Sequence, residues 1–171
     1  MSKPHPKFAQ HRKDRGFTLI ELMVAVLILG ILTSMALPSF REFIINQRIK
    51  SASFDLMSAI NQARSEAIRR NGQVTVTPSN SDWAQGWSVS TNVPTAGTTL
   101  IQQSALNGLT VTCYNTPPTA VACTTITFLG NGRANTQPQS ILVTNNTFTS
   151  PKLTCINIDL SGMPKSKKAN C

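Results

Sequence analysis

Histidine is nearly absent from this 171-residue chain, and both copies, His5 and His11, lie within the first sixteen residues. Without that segment no histidine would remain, which excludes Ser–His and Cys–His catalysis and histidine-ligated metal sites. Charged residues make up only 13% of the chain, and its second half is rich in Ser, Thr and Asn. This composition argues against a disordered acidic protein or a coiled coil. Hydrophobic residues, at 40%, suffice for the core of one domain.

Other catalytic arrangements are missing as well. Asp55 and Glu66 lie on one predicted helix, about 16 Å apart along its axis, which is too far for a carboxylate pair. Gly130-Asn131-Gly132 is a turn signal and not a phosphate-binding loop. The cysteines lack C-x-x-C spacing and have no histidine to assist them. We therefore predict a protein that is not an enzyme and that holds no metal or cofactor.

Acidic residues are scarce, with 7 Asp and Glu against 16 Lys and Arg, a net charge of +9. Residues 1–16 carry five basic residues and one acidic residue, so a short segment holds about half of the excess. Basic segments sometimes bind nucleic acid. One that directly precedes an apolar run more often stays in the cytoplasm and sets the orientation of a membrane segment.

The apolar run extends over residues 22–40 without a charge. As a helix, these 19 residues would span roughly 28 Å, close to the hydrocarbon thickness of a bilayer. One interpretation is an ordinary signal peptide cut after Ser34-Met35-Ala36, so that the mature chain begins at Leu37. A second is an uncleaved signal anchor. The third depends on the residues immediately before the run.

Those residues, Gly16-Phe17-Thr18-Leu19-Ile20-Glu21, resemble the prepilin processing site of type IV pilins and type II secretion pseudopilins. The resemblance implies that a prepilin peptidase cuts after Gly16 and N-methylates the new terminal residue, Phe17. The family's glutamate at the fifth mature position falls on Glu21, and its frequent proline falls on Pro38. In the family, the glutamate pairs with the terminal amino group of a neighbouring subunit in a filament.

Physical chemistry supports these assignments. A carboxylate inside a membrane segment costs about 3 kcal/mol on insertion scales, so Glu21 needs a partner or a functional reason. The alternative is that Glu21 lies at the interface and extends toward the headgroups. Pro38 lacks a backbone N–H and is expected to kink or loosen the helix. It does not end the helix, because helical spacing resumes directly after it.

Helical spacing continues to residue 71 and predicts one helix of some 50 residues that ends with Gly72 as a left-handed cap. Its apolar stripe consists of Ile45, Ile49, Ala52, Leu56, Ile60, Ala63 and Ala67. Alternation of apolar and polar residues then predicts about six strands, at 74–77, 87–90, 109–113, 126–128, 141–144 and 153–158. One long helix followed by short strands indicates an α+β fold in which an antiparallel sheet packs on the helix.

Three further segments, 63–70, 82–87 and 126–134, resemble the ARSEAI helix end, the W-x-x-GW strand start and the F-x-x-x-G turn of FimT/GspH-type minor pilins. We expect Trp83 and Trp87 to fill the core and not to stack on a ligand. Arg69 and Arg70 are expected to face the negative end of the helix dipole. A nucleic-acid contact by these arginines is the less favoured alternative.

The four cysteines, Cys113, Cys123, Cys155 and Cys171, all lie on the side that the topology places outside the cytoplasm, where disulfides form. Three pairings are possible. We favour Cys113–Cys123, around the turn at Pro117-Pro118, and Cys155–Cys171, which would hold the C-terminus against the last strand. Each loop would stabilise the fold by roughly 3 kcal/mol.

The C-terminal segment contains three closely spaced lysines, Lys165, Lys167 and Lys168. Inside a disulfide loop they would form a rigid, exposed basic surface suited to phosphates. The alternative is a merely solvated tail. DNA-binding FimT-type pilins carry a C-terminal G-R-x-R motif, and Gly162 and Lys165 resemble its ends. Met163 replaces its first arginine, and lysine lacks the bidentate geometry of arginine.

The sequence therefore predicts three parts: a leader (1–16), a transmembrane and filament-core helix (17–40) and a periplasmic globular domain (41–171). The expected function is a minor pilin or pseudopilin of a type IV pilus or type II secretion pseudopilus. It would wait in the inner membrane and assemble with other pilins near the filament tip. The expected partners are prepilin peptidase, the inner membrane and other pilins. The alternatives are a DNA-binding minor pilin for DNA uptake and a secreted β-rich binding protein with a cleaved signal.

Overall fold

The computed structural model describes residues 16–92, 97–117, 119–135, 140–145 and 152–171. The chain divides into two compact units, Met1–Phe40 and Arg41–Cys171. Helix α1, Leu19–Arg70, is 52 residues long and contributes to both units. Residues 1–15 of the predicted leader and Pro118 of the predicted turn lie outside the described residues.

In the first unit, every described residue is exposed to solvent. By length and composition, α1 qualifies as a helix that could cross a membrane. The hydroxyls of Thr33 and Ser34 donate hydrogen bonds to the carbonyls of Leu29 and Ile31, so these polar groups are satisfied within the helix. As predicted, the helix continues through Pro38.

In the second unit, residues 41–70 of α1 bury one face. The members of this face are Ile49, Ala52, Ser53, Leu56, Ala59, Ile60, Ala63 and Ala67. The predicted stripe is confirmed: Ile45 packs at its margin, and its other members are buried. Four of the buried side chains are alanines, which allow close approach of the helix to the strands. The buried hydroxyl of Ser53 donates to the carbonyl of Ile49, 2.7 Å away.

The end of α1 differs from the prediction in one residue. The left-handed position belongs to Asn71, with φ 46°, and not to Gly72. The Asn71 N–H bonds to the carbonyl of Ile68, and the Gly72 N–H bonds to that of Ala67, both at 3.1 Å. This is the Schellman pattern with asparagine at the left-handed site, which asparagine tolerates better than most residues.

Nine strands follow the helix in the described residues, and they form two antiparallel sheets where the sequence predicted a single sheet. The first sheet has the order β3-β2-β1-β6, and the second has the order β5-β4-β7-β8-β9. The strands are β1 (Val74–Pro78), β2 (Trp87–Thr91), β3 (Thr98–Gln103), β4 (Thr110–Thr116), β5 (Thr119–Val121), β6 (Ile126–Phe128), β7 (Ser140–Thr144), β8 (Thr154–Ile158) and β9 (Pro164–Lys167). The α+β class with a long helix on antiparallel sheets is thereby confirmed.

A single core joins the helix face to both sheets. Trp83 and Trp87 are almost completely buried in it, with ring centroids 6.3 Å apart, as the sequence predicted. The carboxylate of Asp82 accepts a hydrogen bond from the Ala84 N–H at 2.8 Å and starts the short 3₁₀ turn that positions Trp83. Gly86 follows, with φ 92°, and lies directly against the carbonyl of Gln103. A side chain at this position would collide with the β3 backbone, which explains the glycine between the tryptophans.

Both disulfides of the favoured pairing are present, Cys113–Cys123 and Cys155–Cys171, each with Cα atoms 5.3 Å apart. The first closes the β4–β5 hairpin. The second ties Cys171 to β8 and so encloses β9 and the three lysines in one loop.

Candidate functional site

The first candidate site is the N-terminal end of α1, where the processing motif meets the apolar segment. Gly16 precedes the helix, and no heavy atom lies within 4 Å of the position that a Cβ would take there. Phe17 is 80% exposed. Both residues are therefore exposed among the residues that the structure describes.

Thr18 and Glu21 form the spacing of a helix capping box. The Glu21 N–H donates to the Thr18 hydroxyl at 3.3 Å, and the Leu22 N–H donates to the Thr18 carbonyl at 3.2 Å. The helix thus begins directly after the proposed processing site. The T-x-x-E signal was present in the sequence, but the sequence analysis overlooked this local role.

Glu21 lies in the first helical turn and is exposed. It is the only charged residue in the range 16–40. Its place in the first turn is favourable, because a carboxylate there complements the positive end of the helix dipole. The apolar side chains around it leave the carboxylate available to a cation on another molecule. Pro38 lies inside the helix, seventeen residues further on, and removes the N–H that would bond to the Ser34 carbonyl.

The second candidate site is the C-terminal hairpin of β8 and β9, where the three lysines lie. Its register pairs Cys155 with Lys167, Asn157 with Lys165 and Ile158 with Pro164. The sequence analysis missed β9, because the stretch Pro164–Lys167 contains no apolar alternation. Strand pairing to β8 and the Cys155–Cys171 bond hold it in place instead.

Asp159 organises the turn of this hairpin. Its carboxylate accepts hydrogen bonds from the Ser161 hydroxyl and N–H and from the Met163 N–H, and it lies 3.5 Å from the Lys165 ammonium. The bond from the Ser161 hydroxyl, followed by that from the Met163 N–H, lowers the pKa of Asp159 below its ordinary 3.8. The carboxylate is therefore ionised at neutral pH and fixes the turn.

Gly162 completes the turn, with φ 79°. A Cβ on this residue would lie 2.6 Å from the carbonyl oxygen of Gly132 and 2.9 Å from the ring of Phe128. The hairpin turn thus packs without space against the turn that follows β6. Gly162 therefore has a structural reason for being glycine, independent of the motif that it resembles.

Arg64 of α1 forms hydrogen bonds to both of these turns. Its Nε–H is shared between the carbonyl oxygens of Gly132, at 3.1 Å, and Ser161, at 3.2 Å. One turn follows β6 of the first sheet, and the other follows β8 of the second. Arg64 is thus a positioning residue that couples the two sheets, and the sequence analysis did not identify it.

The three lysines do not act as one uniform surface. Lys165 and Lys167 lie two positions apart on β9, and both are exposed. Lys165 is partly neutralised by Asp159, although its side chain remains 75% exposed, and such surface pairs contribute little. Lys168 follows the strand and lines a groove together with Lys50 and Lys152.

The arginines at the end of α1 also have a protein partner. The Glu66 carboxylate accepts hydrogen bonds from Arg69 and Arg70, with closest distances of 2.7 Å. The Arg70 and then the Arg69 hydrogen bonds lower the pKa of Glu66. This network accounts for the two cations at the helix end without a nucleic-acid contact. Within the described part of the chain, no three His, Cys, Asp or Glu side chains are grouped to hold a metal ion.

Comparison with known families gives two matches. Residues 52–162, more than half of the chain, match the family described as Type II transport protein GspH. Residues 11–37 match the prokaryotic N-terminal methylation motif, which includes Gly16, Phe17 and Glu21. The second match starts inside the predicted leader and ends one residue before Pro38.

Individual proteins give the same picture. A "Fimbrial protein" of Pseudomonas aeruginosa is 31% identical over 93 residues, which cover 53% of this chain and 60% of that protein. A "Probable minor fimbrial protein" of Dichelobacter nodosus is 36% identical over 67 residues, covering 36% of this chain and 42% of its own length. These alignments thus span about 60% or less of the relatives' length.

The fold also matches a solved structure. The crystal structure of the type IV minor pilin FimU of Pseudomonas aeruginosa superposes with a TM-score of 0.56 at 20% identity, covering 69% of this chain and 91% of that one. At this identity the likeness concerns the fold alone. The family match over residues 52–162 and the methylation motif before it carry the assignment. The chain belongs to the GspH family of type IV pilin-like minor pilins and pseudopilins.

Proposed function

We propose that this chain is a minor structural subunit of a type IV pilus or a type II secretion pseudopilus. Prepilin peptidase cuts between Gly16 and Phe17 and N-methylates Phe17. Residues 17–40 then anchor the protein in the inner membrane, with residues 41–171 in the periplasm, until it is extracted into a filament with other pilins. A position near the filament tip comes with the family resemblance, and immunogold labelling of filaments tests it.

The observation that carries this proposal is the exposed apolar part of α1. From Leu19 to Phe40 the helix presents only exposed residues, among them most of the chain's large exposed hydrophobic side chains. Such a surface is stable only in lipid or against other apolar surfaces. A subunit that moves from a membrane to a filament core meets both conditions in turn.

Glu21 gives specificity to the contact between this apolar helix and other helices in a filament. An apolar helix alone packs on its neighbours at many axial positions, because apolar contacts are not directional. A single carboxylate in that surface changes this, since burying it without a cation is costly. The methylated amino group of Phe17 on a neighbouring subunit would supply the cation and thereby select one register.

The experiment compares Glu21→Ala with Glu42→Ala in cells that express the full chain. Glu42 is a matched control, because it is an exposed glutamate on the same helix beyond the apolar segment. We expect both variants to fractionate with the inner membrane, since Glu21→Ala only removes a charge from an apolar surface. Glu21→Ala should be depleted from sheared filaments at least tenfold, and Glu42→Ala should not. Equal recovery of the two variants would contradict the role of Glu21 in register.

A second candidate function is DNA binding within the same filament, supported by the exposure of Lys165, Lys167 and Lys168. If all three lysines contact phosphates of duplex DNA, replacing them with alanine should reduce the slope of log affinity against log salt by up to about 2.7 units. The effect should not depend on DNA sequence, because these lysines would contact the backbone and not the base edges. Anisotropy titrations of the full chain in neutral detergent measure this slope. No measurable affinity at low salt would leave only the structural function.

The third possibility, a secreted binding protein with a cleaved signal, requires a cut after Ala36. The methylation-motif match across residues 11–37 favours processing after Gly16 instead. The mature N-terminus, Phe17 or Leu37, separates the two possibilities.

A further inference from the structure

A groove of about 630 Å³ lies in the second unit, away from the N-terminal processing motif. Its wall on the helix side comes from residues 43–50 of α1, and its other wall comes from the segment leading into β8 and from Lys168. The exposed Phe43 and the half-buried Leu153 give it an apolar surface, and three exposed lysines, Lys50, Lys152 and Lys168, also line it. None of its nine lining residues is acidic.

This charge arrangement attracts anions. Three exposed lysines line one groove, and the apolar wall beside them reduces screening by water, so their potentials add. Within the residues that the structure describes, the ion pairs involve Arg69, Arg70 and Lys165 and none of the groove lysines. Asn46 and Gln47 add side-chain amides, which can donate hydrogen bonds to phosphate or glycerol oxygens.

We propose that this groove binds one anionic phospholipid, with its phosphate between the three lysines and its first methylenes against Phe43 and Leu153. A groove of this volume is in the range of small-molecule sites. Its apolar surface fits acyl chains, which a free phosphate or a nucleic-acid backbone does not supply. Phe43 follows Phe40, the last residue of the uncharged run, by three positions on the same helix. This inference rests on the proposed membrane anchoring, which would bring residue 43 close to the level of the lipid phosphates.

The test is native mass spectrometry of the oxidised full chain in a neutral detergent, titrated with phosphatidylglycerol or with phosphatidylcholine. We expect one bound phosphatidylglycerol per chain and at least tenfold weaker binding of phosphatidylcholine. Basic residues near anionic lipid contribute roughly fivefold each in affinity. The triple variant Lys50→Gln, Lys152→Gln, Lys168→Gln should therefore lose on the order of a hundredfold in affinity.

The matched control removes three other exposed basic residues that do not line the groove, Arg48→Gln, Arg69→Gln and Arg133→Gln. It has the same net charge as the groove variant, so we expect it to bind phosphatidylglycerol within about threefold of wild type. Equal losses in the two triple variants would show unspecific charge attraction and overturn the proposal. Near-ultraviolet circular dichroism of the buried tryptophans confirms that each variant is folded before it is compared.

Two further ligands decide between sources of phosphate. Glycerol 3-phosphate carries the charge without acyl chains and should compete at least a hundredfold less well than phosphatidylglycerol. If glycerol 3-phosphate competes as well as phosphatidylglycerol, the lipid assignment is overturned. Tighter binding of single-stranded DNA than of phosphatidylglycerol through the groove lysines would also overturn it. Flotation with vesicles of pure phosphatidylcholine measures anchoring by residues 17–40 separately. Failure to float would contradict the proposed function, whereas loss of lipid selectivity in detergent would contradict only the groove.

Discussion

Gly162→Ala tests how tightly the C-terminal hairpin is packed against the rest of the second unit. Gly162 has φ 79°, and an added Cβ would lie 2.6 Å from the backbone oxygen of Gly132. The left-handed backbone alone costs a non-glycine residue about 1–2 kcal/mol. The collision is with backbone and a buried ring, so overpacking adds about 1–3 kcal/mol. We expect a total loss of about 2–5 kcal/mol, or about 6–15 °C in Tm.

Gly108→Ala is the matched control for this prediction. Gly108 has φ 78°, but the nearest atom to its added Cβ is the Arg48 guanidinium nitrogen at 3.9 Å. It should therefore lose only the backbone contribution, about 1–2 kcal/mol. Thermal unfolding of the oxidised full chain in detergent, followed by near-ultraviolet circular dichroism of Trp83 and Trp87, measures both variants. Equal melting temperatures for the two would refute the close packing of the hairpin on Gly132.

Three further predictions concern the same region. The pKa of Asp159 is lowered in the folded state, so its contribution to stability is present above pH 3.8 and is lost as the pH falls through the lower folded pKa. In an NMR titration, the chemical shift of the Met163 amide should follow this transition in wild type and not in Asp159→Asn. Replacing both Cys155 and Cys171 by alanine opens a loop of sixteen residues and should cost about 3 kcal/mol, measured by urea unfolding against oxidised wild type. Arg64→Met keeps the apolar stem but removes the shared hydrogen bond between the two turns. It should lower the free energy of unfolding by about 1–2 kcal/mol, seen as a lower urea midpoint with an unchanged slope. An unaltered midpoint would contradict its coupling role.

The strands that the sequence predicted share one property. Each contains apolar residues that are buried in the core. Burial is limited to one face in β1 and β2 and extends to both faces in β6 and β7. The missed strands, β3, β5 and β9, are all edge strands of their sheets. None of the residues Thr98–Gln103 is buried, and Pro164–Lys167 buries only its proline. An edge strand with little burial leaves no alternation in the sequence, since backbone pairing to its neighbour holds it in place.

The division into two sheets could not be predicted for a related reason. Alternation identifies which residues are buried, but it does not identify the neighbouring strand. β6 belongs to the first sheet because it pairs with β1, and Ile126 of β6 lies opposite Val76 of β1, fifty positions earlier in the sequence. The sequence also could not show which residue adopts the left-handed conformation at the end of α1, because both Asn71 and Gly72 are compatible with a helix cap.

The candidate sites differ in how far the sequence could define them. Gly16, Phe17 and Glu21 form one short local motif, so their identification needed no tertiary information. The residues that lie near the lysines are brought there only by tertiary folding. Lys165 pairs with Asp159 across a turn, and Lys168 lines the same groove as Lys50, which lies 118 positions earlier in the sequence. No local sequence pattern predicts that residues so far apart in the chain become neighbours.

The proposed function depends on processing after Gly16 and on entry of the mature chain into a filament. Mass spectrometry of the N-terminal peptide from sheared, purified filaments measures both. We expect a peptide that begins at Phe17 with one N-methyl group and no peptide from residues 1–16. A chain that retains residues 1–16, or one that begins at Leu37, would contradict it.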